Sequence, residues 1–237
     1  MTSRPILVVE HEADCPPGWL GEWLLDEGES LDVRRPYDGD ALPADLADHA
    51  GLVVLGGAMG ARDDEKHPWL TPTKALLRTA VAEDVPALGV CLGHQLAAEA
   101  LGGRIAANPG GQQIGLFQIG WLPAAGSDAL VGALVGTSRG LQWNDDVVVE
   151  APAGSVVLAR AVTGEIQALR YARRVWGVQW HPEIGADILA PWADSDRDRV
   201  AGRGIVVDSL VREVAAAEDE LRETWRPLAV GFARATR

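Results

Sequence analysis

Pro86-Ala87-Leu88-Gly89-Val90-Cys91-Leu92-Gly93-His94-Gln95-Leu96-Ala97-Ala98-Glu99-Ala100-Leu101-Gly102-Gly103 holds a strand, a turn and a helix in one short stretch. The apolar run 86–90 reads as a buried strand. Cys91 follows at once. Residues 95–101 are good helix formers, and Gly102-Gly103 would end that helix. The thiol is therefore predicted on a tight strand-to-helix turn. Gly89 and Gly93 flank it at −2 and +2, the Gly-x-Cys-x-Gly spacing of a nucleophile elbow with sulfur in place of a serine oxygen. Such a turn pushes the side chain out at the top of a sheet, and small neighbours allow the close approach. The first amides of the following helix favour thiolate over thiol. A cysteine taken at random is more often a small buried hydrophobe; the paired glycines and the strand-turn-helix context argue otherwise here.

Upstream of this stretch, apolar runs at 6–9, 31–35 and 52–55 read as strands. They alternate with helical patterns at 19–27, stopped by Gly28, and at 72–83, with Thr71 as the expected N-cap. The alternation predicts an α/β fold, a doubly wound and mostly parallel sheet flanked by helices. Between 103 and 181 the texture changes. Short β-like runs at 115–122, 146–150, 155–161, 166–171 and 175–180 are separated by turn residues, which predicts a small antiparallel β section in the second half. The last run should return to the main sheet. Residues 196–226 are charged and helical in pattern.

The chain has 237 residues, 21 basic and 34 acidic, for a formal charge of −13. That balance argues against a nucleic-acid or anionic-membrane partner. Two cysteines, Cys15 and Cys91, make no disulfide framework. No apolar run is long enough to span a bilayer. The N-terminus lacks a signal-peptide pattern, so a cytoplasmic location is expected. No Gly-x-Gly-x-x-Gly follows the first strand and no Walker-type loop occurs, so no nucleotide cofactor is expected. His11, Glu12, Asp14 and Cys15 cluster after the first strand, but their spacing matches no familiar zinc pattern, and no metal is expected.

Val175-Trp176-Gly177-Val178-Gln179-Trp180-His181-Pro182-Glu183 is the second informative stretch. In extended chain, His181 and Glu183 fall on the same side. A histidine needs a carboxylate to hold one tautomer, and a cysteine needs a base to become a nucleophile at neutral pH. Cys91, His181 and Glu183 together form that minimal catalytic set. A third piece, Leu55-Gly56-Gly57-Ala58-Met59-Gly60, follows a strand end at the same sheet edge. The Gly57 and Leu92 N–H groups are the expected oxyanion donors. His94, in the elbow helix, is set aside as the base, and His67 lies in a polar, acidic loop after the Gly-Gly turn, read as a solvated loop at the flank of the substrate entrance. Nine tryptophans stand against two tyrosines and two phenylalanines; Trp19, Trp23, Trp176 and Trp180 fit core or helix-face positions.

These motifs, in this order and with His181 about ninety residues after Cys91, resemble the class I (triad-type) glutamine amidotransferases, in particular stand-alone proteins related to the amidotransferase domain of GMP synthase. The resemblance spans residues 5–195 and implies one such domain over 1–237, with 196–237 as a helical cover. It implies attack of Cys91 on the glutamine carboxamide, a γ-glutamyl thioester, and release of glutamate and ammonia. Gly56, Gln95 and Asp146 are carried over as substrate-binding positions, Gln95 at the amino-acid end and Asp146 toward the α-amino group. Family members often have histidine where this chain has Asn144. No ATP-binding or synthase segment is recognised, so an ammonia acceptor would be a separate synthase subunit. Two alternatives stand beside this reading: a free-standing hydrolase of γ-glutamyl amides or peptides, and a catalytically quiet binding or regulatory subunit.

Overall fold

The computed structural model describes residues 4–136 and 138–237. In chain order the first half runs β1 (Ile6–Val9), α1 (Gly18–Asp26), β2 (Leu31–Arg34), β3 (Gly51–Val54), α2 (Leu70–Ala82), β4 (Ala87–Val90) and α3 (Leu92–Ala100). The second half is β5 (Arg104–Ala107), β6 (Gln113–Gln118), β7 (Gly120–Trp121), β8 (Arg139–Asn144), β9 (Asp146–Glu150), β10 (Val156–Arg160), β11 (Ile166–Ala172) and β12 (Val175–Val178). Helices α4 (Ala186–Ser195), α5 (Arg197–Ala201), α6 (Val207–Ala216) and α7 (Glu218–Thr236) follow.

The main sheet has eight strands in the order β2-β1-β3-β4-β12-β11-β10-β7. Strands β2, β1, β3, β4 and β12 are parallel, and β11, β10 and β7 continue it antiparallel. Two small antiparallel pairs, β5 with β9 and β6 with β8, stand beside it. The predicted return of residues 175–180 is the parallel pairing of β12 with β4.

Alternation along the central strands supplies both faces of the sheet. Ile6, Val8, Val53, Leu88 and Val90 face a core shared with Trp19 and Trp23 of α1 and Trp225 and Phe232 of α7. Leu7, Val9, Leu52, Val54 and Ala87 face the other core, shared with Leu76 and Leu77 of α2 and Leu96 and Ala97 of α3. Fully buried side chains of this size contribute roughly 1.5–3 kcal/mol each, so the strands are held from both sides, as parallel sheets must be.

Several boundaries differ from expectation. Helix α3 begins at Leu92, not 95, because the elbow leads into it directly. Thr71 is not an N-cap: α2 starts at Leu70 without a side-chain cap, and the Thr71 hydroxyl donates to Asp64 at 2.6 Å. Strands β5 and β8 and helix α4 were not anticipated; β5 is four residues with exposed ends, and α4 carries Pro191 inside.

At the elbow, packing leaves room for hydrogen alone. A Cβ on Gly93 would lie 2.0 Å from the Val54 carbonyl oxygen, and one on Gly89 would lie 2.5 Å from Gly93 itself. Gly102, which closes α3 at φ +88°, has open space around it. Gly93→Ala is therefore expected to cost ~3 kcal/mol or more, since rigid backbone must shift, and Gly102→Ala only ~1 kcal/mol of conformational strain. Urea unfolding of both variants measures this; equal losses would contradict the close-approach explanation.

Candidate active site

Strand order brings the sequence-predicted pieces to one place. Cys91 follows β4 directly, Gly56-Gly57 follow its neighbour β3, and its other neighbour β12 runs on toward His181. All three ends lie at the carboxyl edge of parallel strands, where open α/β sheets place ligands. Cys91 N–H donates to Val178 at 2.9 Å and Gly93 N–H to Leu55 at 3.2 Å, which ties the elbow to both neighbours.

Cys91 has φ 49° and ψ −104°, a strained conformation for a residue with a side chain. The residue is 6% exposed and lines a cavity of about 560 Å³. His181 lines the same cavity and is held from several directions. Its N–H donates to the Leu141 carbonyl at 2.8 Å. Its ring lies edge-on to Trp192, centroids 5.1 Å apart. Ahead of it, Trp180 is fully buried between Trp121 and Trp225.

Glu183 Oε1 lies 2.8 Å from His181 Nδ1, and both side chains are almost wholly buried. An ionised carboxylate only accepts, so Nδ1 carries the proton and donates, which leaves Nε2 for other work. Burial by itself would lower the His181 pKa. The Glu183 carboxylate and the Cys91 sulfur beside the ring outweigh it and hold the pKa well above the ordinary histidine value. The turn carrying Glu183 is fixed by α1, whose Trp19 N–H donates to the Glu183 carbonyl at 2.9 Å.

Gly56 is buried under the imidazole: a Cβ there would lie 2.9 Å from His181 Cε1 and 3.7 Å from Cys91 Cβ. Gly57 lines the cavity, and a Cβ on it would lie 3.1 Å from the Leu92 side chain, so the two residues are neighbours. Leu92 is the first residue of α3, whose N–H has no carbonyl of its own helix to bond. Gln95 and Asp146 both line the cavity. Gln95 Nε2 donates to the Asp146 carbonyl at 2.9 Å and Asn144 Nδ2 to the same oxygen at 3.3 Å.

The lesser candidates sort themselves by position. His94 is fully buried, 2.8 Å from the Tyr171 hydroxyl through Nδ1, and burial lowers its pKa to about 3. It is a packed neutral histidine. His11 Nδ1 accepts from Trp69 Nε1 at 3.1 Å, and burial followed by His67 lowers its pKa to about 3. Glu12, Asp14 and Cys15 do come together. However, Glu12 Oε1 is engaged by the Ala58 N–H at 2.7 Å and by the Cys15 thiol at 3.2 Å. Burial, then the Glu12 charge, drives the Cys15 pKa far up, so that thiol stays protonated.

Gln179 and Trp192 stand near the site and were not singled out from sequence. Gln179 Nε2 lies 3.5 Å from Cys91 Sγ. The alternation that paired His181 with Glu183 also includes position 179, and that was the available signal. Nothing local marks Trp192, which arrives from α4 and bonds the Asp14 carbonyl at 2.9 Å.

Comparison with known proteins gives the chain's relatives. Residues 25–187 match the glutamine amidotransferase class-I family. The chain is 37% identical over 180 residues to a glutamine-hydrolyzing GMP synthase subunit of Halobacterium salinarum, covering 76% of this chain and 88% of that protein. It is 27% identical over 215 residues to gamma-glutamyl peptidase 4 of Arabidopsis thaliana, covering 88% and 83%. The crystal structure of a glutamine amido transferase from Methylobacillus flagellatus superposes with a TM-score of 0.87 at 26% identity, over 98% of this chain and 95% of that one.

The raised His181 pKa has a direct consequence. A histidine whose folded pKa exceeds its unfolded value of about 6.5 adds stability that is fully present below that value. The contribution is lost as pH rises through the folded pKa. Glu183→Gln removes the main cause of the elevation, so the imidazole should titrate at lower pH and the alkaline loss of stability should begin earlier. Ring-proton NMR titration of His181 in both proteins tests this; coincident midpoints would refute the electrostatic account.

Proposed function

The chain belongs to the class-I glutamine amidotransferases, and from that premise we propose that it hydrolyses the side-chain amide of glutamine through a Cys91–His181–Glu183 triad. The observation that carries the reading is the 2.8 Å bond from His181 Nδ1 to Glu183 beside a cysteine on a strained elbow, opening to one cavity. Cys91 Sγ, its proton already held by His181 as an imidazolium, attacks the carboxamide carbon. The tetrahedral oxygen is received by the N–H groups of Gly57 and Leu92. His181 returns the proton to the leaving ammonia, and a γ-glutamyl thioester remains. Water, deprotonated by the same imidazole, then releases glutamate and frees the sulfur. Glu183 keeps the imidazole in one tautomer and stabilises its charged form, the role of the carboxylate in serine triads.

Gln95 and Asp146 offer acceptors at the amino-acid end of the cavity. Gln95 has turned its NH2 toward the Asp146 carbonyl, so its own carbonyl oxygen remains for a donor such as a substrate ammonium. Gly56 acts by letting the imidazole approach closely. Residues 1–237 serve as one catalytic unit, with 196–237 as its cover; α7 supports this by packing Trp225 on Trp180. The relatives named as glutamine-hydrolyzing GMP synthase subunits support ammonia delivery to a separate synthase polypeptide. No helix among the described residues is long and apolar enough to cross a membrane.

A second reading is hydrolysis of γ-glutamyl peptides or amides. The alignment with gamma-glutamyl peptidases over most of the chain favours it. So does a cavity of about 560 Å³, in the range that accommodates ligands much larger than an amino acid. Both readings use the same sulfur.

Purified protein should release ammonia from glutamine or cleave γ-glutamyl peptides, and Cys91→Ala should lower either rate by ~10³-fold or more. A glutamine-like electrophile should modify Cys91 and spare Cys15, mapped by peptide mass spectrometry. Full activity after complete labelling of another residue, or in Cys91→Ala, would rule out the mechanism. Preference for free glutamine raised by a partner synthase separates the first reading from the second.

A further inference from the structure

We propose that Gln179 is a positioning residue for the nucleophilic sulfur: its side-chain N–H is donated to Cys91 Sγ, in a direction imposed by the Asp146 backbone carbonyl acting through Gln95. The proposal rests on the reading of Cys91 as the nucleophile.

Gln179 is fully buried, in the short segment between β12 and His181. Its Nε2 lies 3.5 Å from Cys91 Sγ, a hydrogen-bonding distance for sulfur. Its Oε1 lies 3.3 Å from Gln95 Nε2. A side-chain amide can be turned end for end, so the direction of this chain has to be fixed by a group that cannot turn. The Asp146 carbonyl is such a group, because a backbone oxygen only accepts. It lies 2.9 Å from Gln95, so that end of Gln95 must be the NH2. The NH2 has two hydrogens and gives the second to Gln179. The end of Gln179 facing Gln95 must then be its oxygen. Its other end, facing the sulfur, must be the donor.

A donor aimed at sulfur favours thiolate over thiol, and a carbonyl oxygen in the same place would do the reverse. Gln179 carries no charge and does not titrate, so its effect is separable from the charged groups around the sulfur. The charged and titratable groups on that cavity are His181 after β12, Glu12, Asp14 and the protonated Cys15 after β1, and Asp146 in β9. Asp145 and Asp196, on the same cavity wall, both pair with Arg199. The arrangement joins the wall expected to hold the substrate's amino-acid end to the sulfur expected to attack, through two side chains.

The test is the thiolate titration of Cys91 in the full chain, read by ultraviolet absorbance with Cys91→Ala as the blank, together with iodoacetamide alkylation against pH. Gln179→Met keeps length and removes the donor. It should raise the midpoint by about one unit and slow alkylation at neutral pH about tenfold. Gln95→Met leaves Gln179 free to turn and should shift the midpoint the same way by less. A folded Gln179→Met protein whose titration superimposes on wild type overturns the proposal. If that variant does not fold, an unshifted Gln95→Met titration overturns it instead. Neither readout needs substrate. A wild-type protein that titrates as expected and hydrolyses no γ-glutamyl amide removes the proposed reaction and leaves the sulfur contact standing.

Discussion

The contact on which this molecule depends is the seating of the first turn of α3 against the end of β3. Gly93 meets the Val54 carbonyl with no space for a side chain, and Gly89 meets Gly93 in the same way. The residue between them has no choice of conformation, and Cys91 takes a positive φ that a non-glycine residue ordinarily avoids at a cost of about 1–3 kcal/mol. That cost is modest against the apolar area fixed by the same contact. Leu88, Val90, Leu92 and Leu96 around the elbow are all essentially inaccessible to solvent. Burial wins, and the strain is locked in. The sulfur so placed is at the cavity wall.

The sheet then determines what the sulfur meets. β4 has β3 on one side and β12 on the other. These strands come from distant parts of the chain, yet the register Gly177 with Gly89 and Val178 with Val90 brings their ends level. The residues after each strand therefore share one rim. Extended chain after β12 keeps Gln179 and His181 on the sulfur side and Glu183 beneath the imidazole. The tryptophan cluster around Trp180 pins the intervening position on the other face. Aromatic packing and hydrogen bonding thus alternate along a few residues, the first setting depth and the second setting direction.

Most of the central sheet and the pairing of His181 with Glu183 were legible because they rest on local rules. Continuous apolar runs mark buried parallel strands, and a two-residue period marks a shared side. The elbow was legible because its glycines sit at fixed offsets from the cysteine. What was missed depends on partners far along the chain. Strand β8 pairs with β6 across a segment of short turns, and at its end only Asn144 stands out in the sequence, as a family position and not as a strand signal. Strand β5 is half exposed and gains its place by pairing with β9. Thr71 looked like a cap from its neighbours alone, but its hydroxyl found Asp64 in the preceding loop. Trp192 reaches the imidazole because α4 folds back over the cavity, and no spacing rule near His181 announces that.

The two cysteines show why local contacts, and not the overall charge, set thiol chemistry in this chain. A formal charge of −13 would disfavour any thiolate if it acted at long range. Mobile ions screen such a field over about 8–10 Å at ordinary salt, so each sulfur responds mainly to what touches it. Cys15 touches the Glu12 carboxylate and stays protonated. Cys91 stands at the head of a helix, beside an imidazole whose charged form Glu183 supports, with an amide nitrogen of Gln179 at 3.5 Å. Both sulfurs are nearly buried, and both line the same cavity. Burial is thus common to them; what differs is the character of the nearest partners. One acidic chain thus holds one sulfur against a carboxylate and the other against an imidazole and an amide N–H donor.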